Sequence, residues 1–181
     1  NTVLANMDVQ REAASHIATL INKTGFSAHL GVFDGYEIVM VERAGPHAGQ
    51  LNPVVTLESA AAHSCALGKA VLAYQPDEIV ARIVSLGLRA LTPNTITTGE
   101  QLRTALKQIR KQGFSVDAGE YEEWRSCVAA PIRNASGQVF AAISVTGRIE
   151  PFSPGTVARL AELVIDQGGQ ISRKLGYRAQ R

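Results

Sequence analysis

The sequence has little material for covalent cross-links, with only two cysteines, Cys65 and Cys127, in 181 residues. They form no Cys-x-x-Cys pair, so neither a zinc knuckle nor a redox dithiol is indicated. An excess of one charge is missing too. Eighteen Lys and Arg against sixteen Asp and Glu leave a net +2, too little for a nucleic-acid-binding surface on this chain. The cations Arg173, Lys174, Arg178 and Arg181 read as a solvated helix end, where positive charge suits the helix dipole. No apolar run approaches the ~18 residues needed to cross a bilayer. Residues Asn1 to Gln10 lack the basic stretch followed by an apolar one that marks a secretion signal. These absences lead us to expect a cytoplasmic chain with no membrane partner. Phosphate loops, Gly-x-Gly-x-x-Gly, His-Glu-x-x-His and Gly-x-Ser-x-Gly are also missing. The expectation is a protein that is not an enzyme and needs no cofactor or metal.

The chain does hold ample core material: 45% of its residues are hydrophobic and 19% charged. A chain of this length buries roughly 70% of its extended surface, enough for one large domain without staples. Asp8 is placed to cap a helix over Val9 to Lys23, in which Ala13, Ile17, Leu20 and Ile21 share a face. Phe26–Phe33, Asp34-Gly35 and Tyr36–Glu42 form a hairpin pattern. The run Ile38 to Val41 suggests that both faces of its second strand are covered. Ala44 to Pro53 reads as a loop, Cys65 to Tyr74 as a short helix, Asp77 to Ser85 as another, and Leu91 to Asn94 as a turn. Thr98 and Gln101 have capping-box spacing for a helix stopped by Gly113. Strands follow at Phe114–Asp117, Ser126–Ile132 and Val139–Thr146, and Ser153-Pro154 opens a last helix to Leu175. Strands cluster without a βαβ repeat, which favours a mostly antiparallel α/β (α+β) sheet with helices on its faces.

Chemistry, if any, lies in polar residues set within apolar strands. Alternate strand residues share a face, so Arg125, Cys127 and Ala129 project together, as do Ser144 and Thr146, while Asp117 ends a third strand. If these strands are neighbours, their small polar groups line one pocket floor. The other reading is that the hydroxyls bond locally and the cysteine is a small core residue. His63 precedes Ser64-Cys65-Ala66-Leu67-Gly68-Lys69, a helix onset whose free N–H groups suit an anion. It also reads as an ordinary helix start with a buried histidine and a glycine used for close packing. His63, Cys65, Cys127 and Asp117 could be imagined around a metal, but their spacing matches no zinc signature.

Six segments resemble the C-terminal half of IclR-type transcription regulators. They are Glu37–Glu42, His63–Ala73 with its Gly-Lys-Ala core, Leu91–Thr97 (Leu-Thr-Pro-Asn-Thr-Ile-Thr), Arg110–Asp117, Cys127–Ile132 and Ala142–Gly147. Each is weak alone, but the order of six is specific, and the resemblance runs from about Asp8 to about Gly176. It implies a GAF-like effector-binding domain over residues 8–176, with residues 1–7 the end of an interdomain linker and 177–181 a tail. It also implies a winged helix-turn-helix DNA-binding domain ahead of this chain, a homodimer or homotetramer, and a small-molecule effector, commonly an organic acid or aromatic metabolite. By position, the effector residues would be Ala66, Leu67, Asp117, Cys127, Ser144 and Thr146, with His63, Trp124 and Arg125 at their margin.

The sequence departs from the family pattern just before the cysteine strand. Trp124 and Arg125 stand where the family often has glycine and an aliphatic residue, and Thr146 replaces a serine. Arg125 shares the Cys127 face if the strand reaches that far; otherwise it points to water or pairs with Glu122 or Glu123. A second functional class is a thiol enzyme with Cys127 as nucleophile, His63 as base and Asp117 as orienter. No nucleophile turn or oxyanion motif accompanies it.

Overall fold

A computed structural model describes residues 2–45, 58–148, 150 and 152–179. Most of the Ala44–Pro53 loop, and Arg181, therefore lie outside the described residues. The elements in chain order are α1 (Thr2–Thr24), β1 (Ser27–Phe33), β2 (Glu37–Ala44), β3 (Ser59–Ala61), a 3₁₀ turn (Ala62–Ser64), α2 (Ala66–Leu72) and α3 (Asp77–Ser85). There follow α4 (Gly99–Gln112), β4 (Ser115–Ala118), β5 (Arg125–Arg133), β6 (Val139–Arg148) and α5 (Pro154–Lys174). The six strands form one antiparallel sheet in the order β3-β2-β1-β6-β5-β4. No helix among the described residues is long and apolar enough to cross a membrane.

Local chemistry explains most boundaries. Thr98 accepts from the Gln101 N–H to start α4, and Gly113, at φ 85°, ends it in the left-handed region that favours glycine. Ser153 caps α5 through the Thr156 N–H ahead of Pro154. Asp34 folds the β1–β2 turn by accepting from the Tyr36 and Glu37 N–H groups. One expected boundary is wrong. Asp8 does not cap α1, which already runs from Thr2; its carboxylate instead pairs with Arg11 one turn on, at 3.2 Å. The short edge strand β3 has only three residues, too few for an alternation to show in sequence.

The strands sort their side chains by parity. Ala28 and Leu30 of β1, Val128, Ala130 and Ile132 of β5, and Ala141, Ile143 and Val145 of β6 face one core. There they meet Val9, Ala13, Ile17 and Leu20 of α1 and Leu160, Val164 and Ile171 of α5. The opposite face receives Cys127, Ala129 and Ala142 together with Ala66, Leu67, Ala70 and Val71 of α2. Beyond α2, a third cluster joins α3 and α4 through Val80, Ile83, Leu102, Leu106 and Ile109. Of the apolar run in β2 only Ile38 is fully buried, while Val39, Met40 and Val41 are half-buried. Val41, next to Met40, packs on the α1 side, and a register shift opposite Leu30/Gly31 leaves it out of the pairing.

A polar floor beneath the Cys65 helix

Strand register assembles the floor. On the α2 face, Ser27, Thr146, Cys127 and Asp117 lie in one row across β1, β6, β5 and β4. His29, Ser144, Ala129 and Ser115 lie in the next. The first row places polar or thiol groups on four adjacent strands and the second on three, with Ala129 on β5, neighbours in a row being one strand apart. Thr146 Oγ1 donates to Cys127 Sγ at 3.1 Å and lies 3.5 Å from His29 Nδ1. Ser115 Oγ donates to the Ala66 carbonyl, joining the floor to the start of α2.

A cavity of ≈ 40 Å³ opens over this floor, room for a few water molecules at most. His29, Cys127 and Ser144 form its base, Cys65, Ala66 and Leu67 one wall, and Met40, Arg43, Tyr121 and Arg125 its rim. Of the residues expected here, Asp117 and Thr146 flank Cys127 behind the cavity rather than line it. His63 lies elsewhere: its Nε2 is 3.0 Å from the Arg89 carbonyl, and it borders a separate hollow. Trp124 is 55% exposed. It precedes Arg125, and alternation that turns Arg125 inward turns its neighbour outward. Arg125 is in fact the first residue of β5 and lines the cavity, and it also pairs with Glu122, Nη1 to Oε2 3.2 Å. The two readings left open by the sequence thus describe one arrangement.

At the α2 onset two of the N–H groups are already used. The helix has seven residues, the Gly68 N–H goes to Cys65 Sγ and the Lys69 N–H to the Cys65 carbonyl. Gly68 is there for close packing, because an added Cβ would stand 2.6 Å from the Ala62 carbonyl carbon.

One loop is fixed with unusual thoroughness. Lys69 Nζ of α2 donates to both Glu120 carboxylate oxygens, at 2.6 and 2.8 Å, and to the Val116 carbonyl at 2.7 Å. Thr95 Oγ1 donates to the Glu120 carbonyl and Thr92 Oγ1 to the Gly119 carbonyl, both at 2.6 Å. Asp117 Oδ1 accepts from the Glu120 N–H at 2.7 Å. The Gly-Lys-Ala, Leu-Thr-Pro and Val-Asp segments, far apart in sequence, therefore converge on Gly119–Glu120. Sequence reasoning missed Lys69 and Glu120, since nothing local pairs residues 51 apart. It also missed His29, although a histidine between Ala28 and Leu30 in a buried strand carries the signal that singled out Ser144.

Three buried side-chain atoms among the described residues lack a partner: Asp117 Oδ2, Arg125 Nε and Ser144 Oγ. All three belong to this site. Burial raises the Asp117 carboxyl to about 6, partly offset by its backbone hydrogen bond. Burial, then the Arg43 and Arg125 charges, push His29 down to about 3, so it is neutral. Burial also raises Cys65 to about 11 and Cys127 to about 12, the opposite of what a nucleophilic thiolate requires. His63, itself lowered mainly by burial, faces Arg89 rather than Cys127, so the Cys-His-Asp arrangement does not form. Among the described residues no cluster of three or more His, Cys, Asp or Glu could hold a metal.

Comparison with known proteins gives this architecture its place. The family described as "Bacterial transcriptional regulator IclR C-terminal" matches residues 1–173. The HTH-type transcriptional regulator XynR of Escherichia coli K12 is 31% identical, over 98% of this chain and 71% of XynR. The crystal structure of Thermotoga maritima IclR superposes with a TM-score of 0.85 at 31% identity, covering 93% of this chain and 69% of that one. The C-terminal domain of E. coli KdgR gives a TM-score of 0.84 at 27% identity, covering 94% of this chain and 99% of that one. The inducer-binding domain of PobR from Acinetobacter, complexed with 3-hydroxybenzoic acid, shares the fold (TM-score 0.78, 24% identity, 88% and 95% covered). The chain belongs to the IclR family of bacterial transcription regulators and is an effector-binding domain of that family.

Proposed function

We propose that this domain senses a small organic acid in the cavity under α2, and that Ala66, Leu67, Cys127, Ser144 and Arg125 contact it, with Asp117 and Thr146 orienting Cys127 from behind. The observation that carries this reading is that two unpartnered buried polar atoms, Ser144 Oγ and Arg125 Nε, belong to residues lining one cavity. A buried polar group without a partner costs ~1–3 kcal/mol, a cost that a ligand supplying the partners removes. Arg125 lines the cavity with its side chain largely buried, while the other rim arginine, Arg43, is paired with Glu58 at 3.2 Å, so Arg125 is the group that favours an anion. In the whole regulator, binding here would alter operator affinity through a helix-turn-helix domain joined by residues 1–7, by a coupling of typically ~1–3 kcal/mol, in the cytoplasm.

The test is a thermal-shift panel of small hydroxy-, keto- and aromatic carboxylates beside their neutral amides. An acid at 100 times its Kd should stabilise the domain by roughly 2.7 kcal/mol, and its amide much less. Ser144→Ala and Cys127→Ala should each weaken that acid about tenfold, the loss of ~1.4 kcal/mol of hydrogen bonding. Unchanged affinity in both variants would place the effector elsewhere.

We further propose that the chain is a homodimer or homotetramer, as the family resemblance implies; Ile165 of α5, 40% exposed although large and apolar, suits a subunit contact. Sedimentation at tens of micromolar should show at least a dimer. A single monomeric boundary there would overturn this.

A further inference from the structure

Arg125 stands at the mouth of the cavity with its side chain only 13% exposed. Its guanidinium lies over the Tyr121 ring, 4.6 Å from the centroid. Its acidic partner, Glu122, is 41% exposed and comes nearest at Nη1, 3.2 Å away. A guanidinium is built to hold a carboxylate through two parallel N–H···O bonds. Glu122 does not use that capacity, and Nε is left buried and unpartnered.

The surrounding loop is held at both ends. Upstream, Glu120 is locked by Lys69, and its carbonyl by Thr95. Downstream, the Gly119 N–H donates to the Arg125 carbonyl at 2.9 Å and the Arg125 N–H to the Glu122 carbonyl at 3.0 Å. Between these points Tyr121 reaches the cavity and stacks under the Arg125 guanidinium that pairs with Glu122. The cavity of ≈ 40 Å³ is smaller than an organic acid of several heavy atoms, so residues at its rim have to move to admit one.

We propose that Glu122 is an internal stand-in for the ligand's carboxylate: an entering acid takes the Nε–Nη edge of Arg125, displaces Glu122 into water and frees Tyr121 to move from the mouth. The proposal rests on the cavity being the effector site. Two carboxylates around one guanidinium repel each other, and the half-exposed Glu122 is the one that water can receive cheaply. Arg125 thereby sets specificity for acids, and Glu122 sets the threshold concentration at which they bind.

The partners predict opposite effects of their removal. Trp124 is the only tryptophan in the chain and precedes Arg125 directly, so its fluorescence should report a rearrangement of this segment. Acetate, at matched ionic strength against chloride, is the probe, with acetamide as the neutral control. Glu122→Gln should bind acetate at least fivefold more tightly than wild type. Arg125→Leu and the double variant should give no saturable response, and acetamide none with any protein. Arg125→Lys, which keeps the charge without the fork, should bind acetate weakly, and this shows that the loss in Arg125→Leu is not unfolding. A Glu122→Gln variant that binds acetate no more tightly than wild type, or not at all, overturns the exchange. So does an Arg125→Leu variant that binds like wild type. If an acid from the panel is weakened by Ser144→Ala yet indifferent to both Arg125→Leu and Glu122→Gln, the effector site stands and the exchange falls. If Ser144→Ala and Cys127→Ala leave it unchanged as well, both fall.

Discussion

Replacing Lys69 by methionine should lower the melting temperature by roughly 10 °C. Lys69 is 4% exposed and Glu120 is 8% exposed, and the ammonium donates to Glu120 Oε1, Glu120 Oε2 and the Val116 carbonyl. Methionine fills much the same volume but leaves a buried carboxylate without a counter-charge and a carbonyl without a donor. Breaking a buried pair in this way costs ~3–5 kcal/mol, and in a chain of this size each kcal/mol moves the midpoint by about 2–4 °C. Removing both charges is a different matter, because two desolvated ions recover little net energy from each other. Lys69→Met with Glu120→Gln should regain at least half of the lost midpoint. A single variant that melts within 2 °C of wild type would show that the pair holds nothing together. The same substitution should weaken acid binding, since Glu120 anchors the loop that delivers Arg125.

Gly68→Ala should cost about 3 kcal/mol, the upper end of what overpacking does. Its Cβ would stand 2.5 Å from Ala62 Cα and 2.6 Å from the Ala62 carbonyl carbon. These are backbone atoms, so no rotamer change relieves the clash. Either α2 or the 3₁₀ turn before it has to move, and α2 carries Ala66, Leu67 and Lys69 with it. Gly155 is the control: nothing lies within 4 Å of an added Cβ there, and alanine in the first turn of α5 should be neutral or stabilising by up to ~1 kcal/mol. Urea unfolding monitored by circular dichroism measures both, as a shifted midpoint at unchanged slope. Equal midpoints for Gly68→Ala and wild type would mean that the turn yields without cost.

Much of the fold is written locally. Thr98, Gly113, Asp34 and Ser153-Pro154 each satisfy or end a backbone hydrogen-bonding pattern within a few residues, so their elements can be placed before any tertiary contact is known. The start of α1 is not of this kind. Asp8 looks like a cap, yet no proline or glycine precedes it to stop the helix from continuing upstream to Thr2, and Asp8 ends up on an exposed face. The site is half legible. Cys127, Ser144 and Arg125 stand out because polar side chains are rare in apolar strands, and the period of two says which of them share a face. What the period cannot say is which strand lies beside which. Only the β1–β6 pairing brings His29 opposite Ser144, and only the packing of α2 on β4 and β5 brings Lys69 to Glu120.

The parity of the strands reaches beyond packing into how such domains diverge. In β1, β5 and β6, odd and even positions answer to different neighbours: Val128, Ala130, Ile143 and Val145 meet α1 and α5, while Cys127 and Ser144 meet the cavity. A substitution at Arg125 or Ser144 therefore rewrites the chemistry of the floor without touching the residues that hold the sheet to its two long helices. Mutational steps on the two faces are nearly independent. Alternate positions on the cavity face can therefore change while the other face, under separate constraint, keeps the scaffold. The strand works as two texts printed on one ribbon, and either can be revised while the other stands.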